Sequence, residues 1–271
     1  MKITYIVKLI IIFYTAHLFG FDDQQKVLDK VKAQTQKAGK AEIAFIEKSL
    51  KDNRLLINNE VIKRFKEKPE KIKTYEQYKK IFVNKERIEG GAEFFEKNKK
   101  LLSDISKEFS IDPIVLVAIV GVETNYGSKT SGFTVINSLY TQAAKMPKRS
   151  KWAVKEIAEL LSFCYQNNID PYSIEGSYAG AFGYGQFIPS SFNRLSIDYN
   201  KDGEKDPYDW EDVLGSVAYY LVENGYPKNS FNFSYKSGIW HAIRTYNRSD
   251  KYANAIIDLR NEISREIFLS H

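Results

Sequence analysis

The sequence predicts a mainly α protein. Apolar residues recur at helical spacing along much of the 271-residue chain, and Asp112-Pro113 opens the nine-residue apolar run Ile114–Val122. Only one short stretch has a strand-like pattern, and no internal repeat is present.

Taken in order, residues 1–20 read as a targeting segment. Lys2 precedes an apolar stretch around Ile10–Phe13 that is short for a membrane span and suited to a secretory signal. The segment is either cleaved near Gly20, which would lower the net charge from +6 to +4, or retained as an N-terminal anchor. From Asp22 to about Phe65, Val27, Leu28, Val31, Ile43, Ile46 and Leu50 keep helical spacing. Lys66–Lys73, containing Pro69, reads as a connection. A second helix is expected over about 92–109, with Phe94, Phe95, Leu101, Leu102 and Ile105 on one broad face. The run after Asp112-Pro113 is apolar all round, so its helix belongs in the core, with Gly127 as its stop. Further helices are expected at about 150–167, 211–224 and 251–267. The strand-like segment is Phe231–Trp240.

Composition narrows the function classes. The chain is 43% hydrophobic and 27% charged, as in a folding globular protein. One cysteine excludes an internal disulfide framework, and three histidines argue against a histidine-rich metal centre. Basic residues are interspersed with acidic ones and no nucleic-acid motif is present, so no nucleic-acid partner is expected. The 18 tyrosines suit a groove for carbohydrate, although many tyrosines simply pack half-buried.

Four segments carry candidate chemistry. Glu123 ends the apolar helix, followed by Thr-Asn-Tyr-Gly. Burial there disfavours the charged carboxylate, which suits a general acid, unless the residue is merely a buried glutamate satisfied by amides or a hydroxyl. The segment 175–191 (EGSYAGAFGYGQFIPSS) interleaves glycines with aromatics up to Gln186. It fits either a sugar-binding loop or a tight packing turn, and it lacks the ending of a phosphate loop. Residues 198–212 place Asp198, Asn200 and Asp202 at alternate positions and Gly203 at the sixth. That is the start of an EF-hand calcium loop, though Asp209 stands where the twelfth-position glutamate belongs; the alternative is an acidic turn. Thr245–Tyr252 offers Tyr246, Asn247 and Tyr252 at a loop–helix junction, weak evidence alone.

Together and in this order, ETNYG at 123–127, GSYAGAFGYGQFIPSS at 176–191, the calcium-type loop and YNRSDKY at 246–252 resemble the lytic murein transglycosylases of the membrane-bound B type. The resemblance covers roughly residues 75–265. It implies a lysozyme-like core over 91–271, an additional N-terminal helical region over 21–90, and a reduced β segment where relatives insert a small domain between positions matching Tyr220 and Tyr246. It implies cleavage of the β-1,4 bond between N-acetylmuramic acid and N-acetylglucosamine, with a 1,6-anhydro product. By position, Glu123 resembles the catalytic acid/base. Ser177, Gln186, Tyr220, Tyr246, Asn247 and Tyr252 resemble groove residues, and Asp198, Asn200, Asp202, Glu204 (through its carbonyl) and Asp212 resemble ligands of a structural calcium ion. No cofactor is expected for catalysis. The expected partners are peptidoglycan glycan strands in the periplasm or cell envelope, and envelope assembly proteins are conceivable. The only cysteine is Cys164, so no lipid-anchor cysteine follows the leader. Rival readings are a hydrolytic muramidase and a non-catalytic peptidoglycan-binding protein. Most glycosidases use two carboxylates, yet none stands out beside Glu123; attack by a substrate hydroxyl removes the need for a second.

Overall fold

The computed structural model describes residues 23–67, 74–129 and 132–269. The leader expected at 1–20 and Pro69 of the expected connection lie outside them. The described elements are α1 (23–34), α2 (Lys40–Leu50), α3 (Asn59–Glu67), α4 (Tyr75–Phe82), α5 (Lys85–Lys97), α6 (Lys99–Phe109), α7 (Pro113–Thr124), β1 (Phe133–Thr134), α8 (Val135–Lys145) and α9 (Pro147–Gln166). They continue with β2 (Glu175–Gly176), α10 (Pro189–Leu195), α11 (Trp210–Glu223), α12 (Gly238–Tyr246) and α13 (Asp250–Leu269). The mainly α expectation holds.

The chain forms two compact units. The first takes residues up to 66, 133–174 and 178–180; the second takes 67–132, 175–177 and 181–271. This differs from a boundary at residue 90, because α4 and α5 pack against α13 of the second unit, not with α2, which packs against α9. In the first unit, α8 and α9 pack against each other, and the core there includes Leu139, Ile157, Leu161 and the fully buried Cys164. The buried Gln142 holds the tip of the glycine-rich segment, its Nε2 donating to the carbonyls of Tyr178 (3.2 Å) and Ala179 (3.3 Å).

The second unit is organised around α7. Asp112 caps it, accepting from the Val115 amide at 3.0 Å, and Pro113 occupies the first turn where its missing N–H costs nothing. Every residue from Val115 to Val122 is buried. Each large side chain there contributes about 1.5–3 kcal/mol by leaving water. Such a helix has no wet face, and α5, α6, α11 and α13 cover it.

Two local expectations are corrected. The helix expected over 92–109 is broken at Asn98, whose side-chain Nδ2 donates back to the Phe94 carbonyl at 2.9 Å and so ends α5 before α6 begins. The strand-like 231–240 segment contains no strand. Asn232 Oδ1 accepts from the Ser234 amide (3.1 Å), and Ser237 caps α12 through the Trp240 amide (3.2 Å). Its alternating aromatics serve different ends: Phe231 is 81% exposed, Phe233 lies under the Arg260 guanidinium at 3.8 Å, and Tyr235 donates to Asp258 at 2.8 Å.

Arg260 on α13 also pairs with Asp112 at 2.6 Å, the two side chains being 15% and 8% exposed. Removing one partner strands a buried charge. Asp112→Ala should therefore cost about 3–5 kcal/mol in urea unfolding. Asp112→Asn, which keeps the cap, should cost less.

Candidate active site

Glu123 sits on the last turn of α7. It keeps part of its surface accessible, but the protein around its carboxyl raises the pKa to about 7, against an ordinary 4.5; desolvation is the main cause. Tyr252 on α13 opposes this shift by donating its hydroxyl to Glu123 Oε1 at 2.6 Å. Tyr252 is itself 1% exposed, and burial together with the nearby Glu123 carboxylate pushes its own pKa well up, so it stays a donor. Tyr246, at the end of α12, is shifted upward by burial and by the same carboxylate. Among the described residues, no second carboxylate contributes to the titration of Glu123.

The glycine-rich segment meets this group through Tyr246, whose hydroxyl donates to the Gly185 carbonyl at 2.5 Å. Phe187 and Tyr220 complete an aromatic cluster with Tyr246, at centroid distances of 5.5 Å (Phe187–Tyr246) and 4.8 Å (Tyr220–Tyr246). Gln186, between Gly185 and Phe187, adopts φ +51 and folds its Nε2 onto the Gly183 carbonyl at 2.9 Å, leaving Oε1 to accept. Gly183 has φ +72, and a Cβ there would lie 2.6 Å from the Pro207 carbonyl oxygen, so only glycine fits this approach. Thr124 joins the segment to α7 by donating to the Tyr184 carbonyl at 3.1 Å.

The structure thus gathers Glu123, Tyr246, Tyr252, Tyr220 and the Gly185–Phe187 turn bearing Gln186. Ser177 and Asn247 have other surroundings among the described contacts. Ser177 accepts from the Ala181 amide at 3.0 Å within the glycine-rich turn, and Asn247 is exposed at the end of α12. Sequence reasoning missed Thr124, Tyr126, Tyr184 and Trp210. The last two stack at 4.5 Å and back the end of α7. The legible signal for a close approach here was the Gly90-Gly91 pair inside α5, matched by Gly121 in α7.

In the 198–212 loop, Asp198 and Asn200 both accept from the Asp202 amide (3.1 and 3.0 Å), and Asp198 also accepts from Gly203, which has φ +96. Asp202 accepts from the Glu204 amide at 2.9 Å. Asp212, the fifth expected ligand, differs from the others in its surroundings. Its carboxylate is buried and takes the amides of Tyr199 (2.7 Å) and Asp206 (2.9 Å), which makes it the clasp of the loop. No cluster of three or more acidic, histidine or cysteine side chains is gathered for a metal among the described residues.

A family model described as the transglycosylase SLT domain matches residues 22–238. The chain belongs to this family. Over 152 residues it is 31% identical to the membrane-bound lytic murein transglycosylase B of Escherichia coli strain K12; the match covers 56% of this chain and 42% of that relative, so under half of the relative's length is spanned. Among solved family structures, soluble lytic transglycosylase SltB1 from Pseudomonas aeruginosa is similar with a TM-score of 0.78 and 24% identity, covering 89% of this chain and 99% of that one. The Escherichia coli lytic transglycosylase Slt35, solved in complex with calcium, matches with a TM-score of 0.78 and 22% identity, covering 91% and 94%. These likenesses establish the lysozyme-like lytic transglycosylase fold. No helix of the described residues is long and apolar enough to cross a membrane.

The raised pKa of Glu123 has a consequence for stability. Folding favours its neutral form, a contribution whole below about pH 4.5 and lost as pH rises through about 7. Glu123→Gln cannot ionise and keeps an acceptor for Tyr252. It should be more stable than the parent at about pH 8, by up to ~3 kcal/mol, with no such gain at about pH 4. Urea midpoints at the two pH values test this.

Proposed function

We propose that the chain is a peptidoglycan lytic transglycosylase in which Glu123 serves as acid and then as base. The observation that carries this reading is a desolvated carboxyl, protonated near neutral pH and oriented by Tyr252, in a chain of the transglycosylase SLT family. The substrate is the β-1,4 link between N-acetylmuramic acid and N-acetylglucosamine. Protonated Glu123 gives its proton to the glycosidic oxygen as the bond to C1 breaks, releasing the N-acetylglucosamine 4-hydroxyl. The muramoyl C6 hydroxyl then attacks C1, and the Glu123 carboxylate takes its proton, closing a 1,6-anhydro ring. No water is consumed and Glu123 returns to its starting state. Attack by the substrate's own C6 hydroxyl needs no second carboxylate to activate water, the role that hydrolysis would require. Tyr246, Tyr220 and the Gln186 turn supply flat faces and hydrogen-bonding groups suited to sugar rings.

The site of action in this reading is the cell envelope, reached through the leader at 1–20. The relative's name, membrane-bound lytic murein transglycosylase B, supports an envelope setting.

The 198–212 loop is proposed to hold one structural calcium ion. The donor chemistry fits: Asp198, Asn200 and Asp202 present hard oxygens, and Gly203 permits the turn that offers the Glu204 carbonyl. Asp212 holds the loop closed through backbone amides. The ion would neutralise the Asp198 and Asp202 carboxylates, and no step of the reaction passes through it.

Glu123→Gln should lose about 10²–10⁴-fold or more in sacculus digestion, since general acid–base catalysis is worth that much and one residue plays both parts. Mass spectrometry of the wild-type products should show anhydro ends; reducing ends alone would make the enzyme a hydrolase. Calcium should raise the melting temperature relative to chelator, by an amount equivalent to ~2.7 kcal/mol when free calcium is a hundredfold above Kd. Asp202→Ala should abolish that difference.

A further inference from the structure

Three features of the second unit converge on the residues flanking Glu123 and are unused by the proton transfers above. Arg87 on α5 is half-buried, with no carboxylate at ion-pair distance among the described residues. Its guanidinium instead donates to two backbone carbonyls, Nε to Gly121 at 3.0 Å and Nη1 to Ile81 at 2.6 Å. Gly121 stands two residues before Glu123.

Three residues after Glu123 comes Tyr126, left-handed at φ +58 between Asn125 (φ +50) and Gly127 (φ +80). Side-chain-bearing residues adopt that conformation when their surroundings hold them there. Here the ring stacks on Phe94, with centroids 5.5 Å apart and 28° between planes, and the hydroxyl donates to the Arg87 carbonyl at 2.6 Å.

The slot that admits this ring is made of glycine. A Cβ built at Gly121 would stand 2.6 Å from the Tyr126 hydroxyl and 2.7 Å from Cζ, and one at Gly91 would stand 2.6 Å from the hydroxyl. Both glycines lie inside helices, where glycine is a poor helix former, so their presence needs a packing reason. The ring of Tyr126 is that reason at Gly121, and at Gly91 it shares the space with Ile263, whose Cδ1 would stand 2.5 Å from the Cβ.

We propose that Tyr126 is a positioning residue for Glu123, clamping the last turn of α7 to α5 with Arg87 and so fixing where the Glu123 carboxyl stands beside Tyr252. The proposal rests on the reading of Glu123 as the acid/base. Carbonyls in the last turn of a helix lack intrahelical partners, which makes that turn the easiest to displace. Arg87 adds a second donor to the Gly121 carbonyl, which already accepts from the Asn125 amide at 3.1 Å, and its positive charge suits the negative end of the helix. Tyr126 supplies the anchor after it. With both sides pinned, the carboxyl keeps its distance from the scissile bond, where a displacement near 1 Å can cost about a hundredfold.

The titratable groups that face the carboxyl are Tyr252 from α13 and Tyr246 from α12, and both stay neutral in the working range. A changed titration of Glu123 therefore reports movement of the carboxyl relative to its desolvating shell.

Two substitutions test the clamp. Tyr126→Phe removes only the tether to Arg87 and leaves the ring in its slot. Gly121→Ala improves helix propensity but crowds the ring. Sacculus digestion is followed alongside infrared titration of the Glu123 carboxyl, taken as the difference against Glu123→Gln, and circular dichroism verifies folding. In Gly121→Ala, kcat should fall about 10–100-fold while KM stays within about twofold. The titration midpoint should drop from about 7 by roughly one unit as water reaches the carboxyl. Tyr126→Phe should show the same two changes at smaller amplitude; should Gly121→Ala not fold, it decides alone. Wild-type kcat and unmoved midpoints in the folded variants would overturn the clamp. Full activity in Glu123→Gln would overturn the acid/base reading instead, and the infrared midpoints would still judge whether Tyr126 places the carboxyl.

Discussion

The structure of the second unit is built around a helix with no wet side. Because α7 is apolar on every face, α5, α6, α11 and α13 must cover it, and whatever polar group stands at its end inherits a dry setting. Glu123 is that group. The packing that stabilises the unit thus also makes a carboxyl neutral at the pH where an acid is needed. The same burial explains why Tyr252 and Tyr246 remain protonated beside it, and why one hydrogen bond of 2.6 Å carries the orientation of the carboxyl.

Much of this was legible in the sequence. The Asp-Pro start, the uninterrupted apolar run and a glutamate at its end specify a buried helix terminating in an ionisable group, and no tertiary knowledge is needed to expect a raised pKa. The glycine-rich turn was legible as a close backbone approach. What it approaches, Pro207, was not, because such pairings are set by tertiary packing. The break at Asn98 escaped because the hydrophobic face runs through it without a change of phase; a single side chain returning to Phe94 decides it. Alternation of aromatics in 231–240 misled for the opposite reason. Phe231, Phe233 and Tyr235 meet solvent, a guanidinium and a carboxylate respectively.

The acidic loop and the glycine-rich segment illustrate how side chains of one type serve different ends. Asp198 and Asp202 accept from amides within an exposed turn, whereas Asp212 is buried and accepts from the amides of Tyr199 and Asp206 in its own loop. Spacing alone ranks these aspartates together. Burial separates them, since a desolvated carboxylate needs several donors and takes the nearest amides.

Cys164 lies in the other unit, fully buried on α9, with its thiol pushed up to about 12 by burial. The reactive thiolate is therefore scarce, and an oxidant in solution finds neither charge nor access. Any reagent that captures this sulfur must wait for the α8–α9 pair to open. The rate of capture consequently times the local opening around α9.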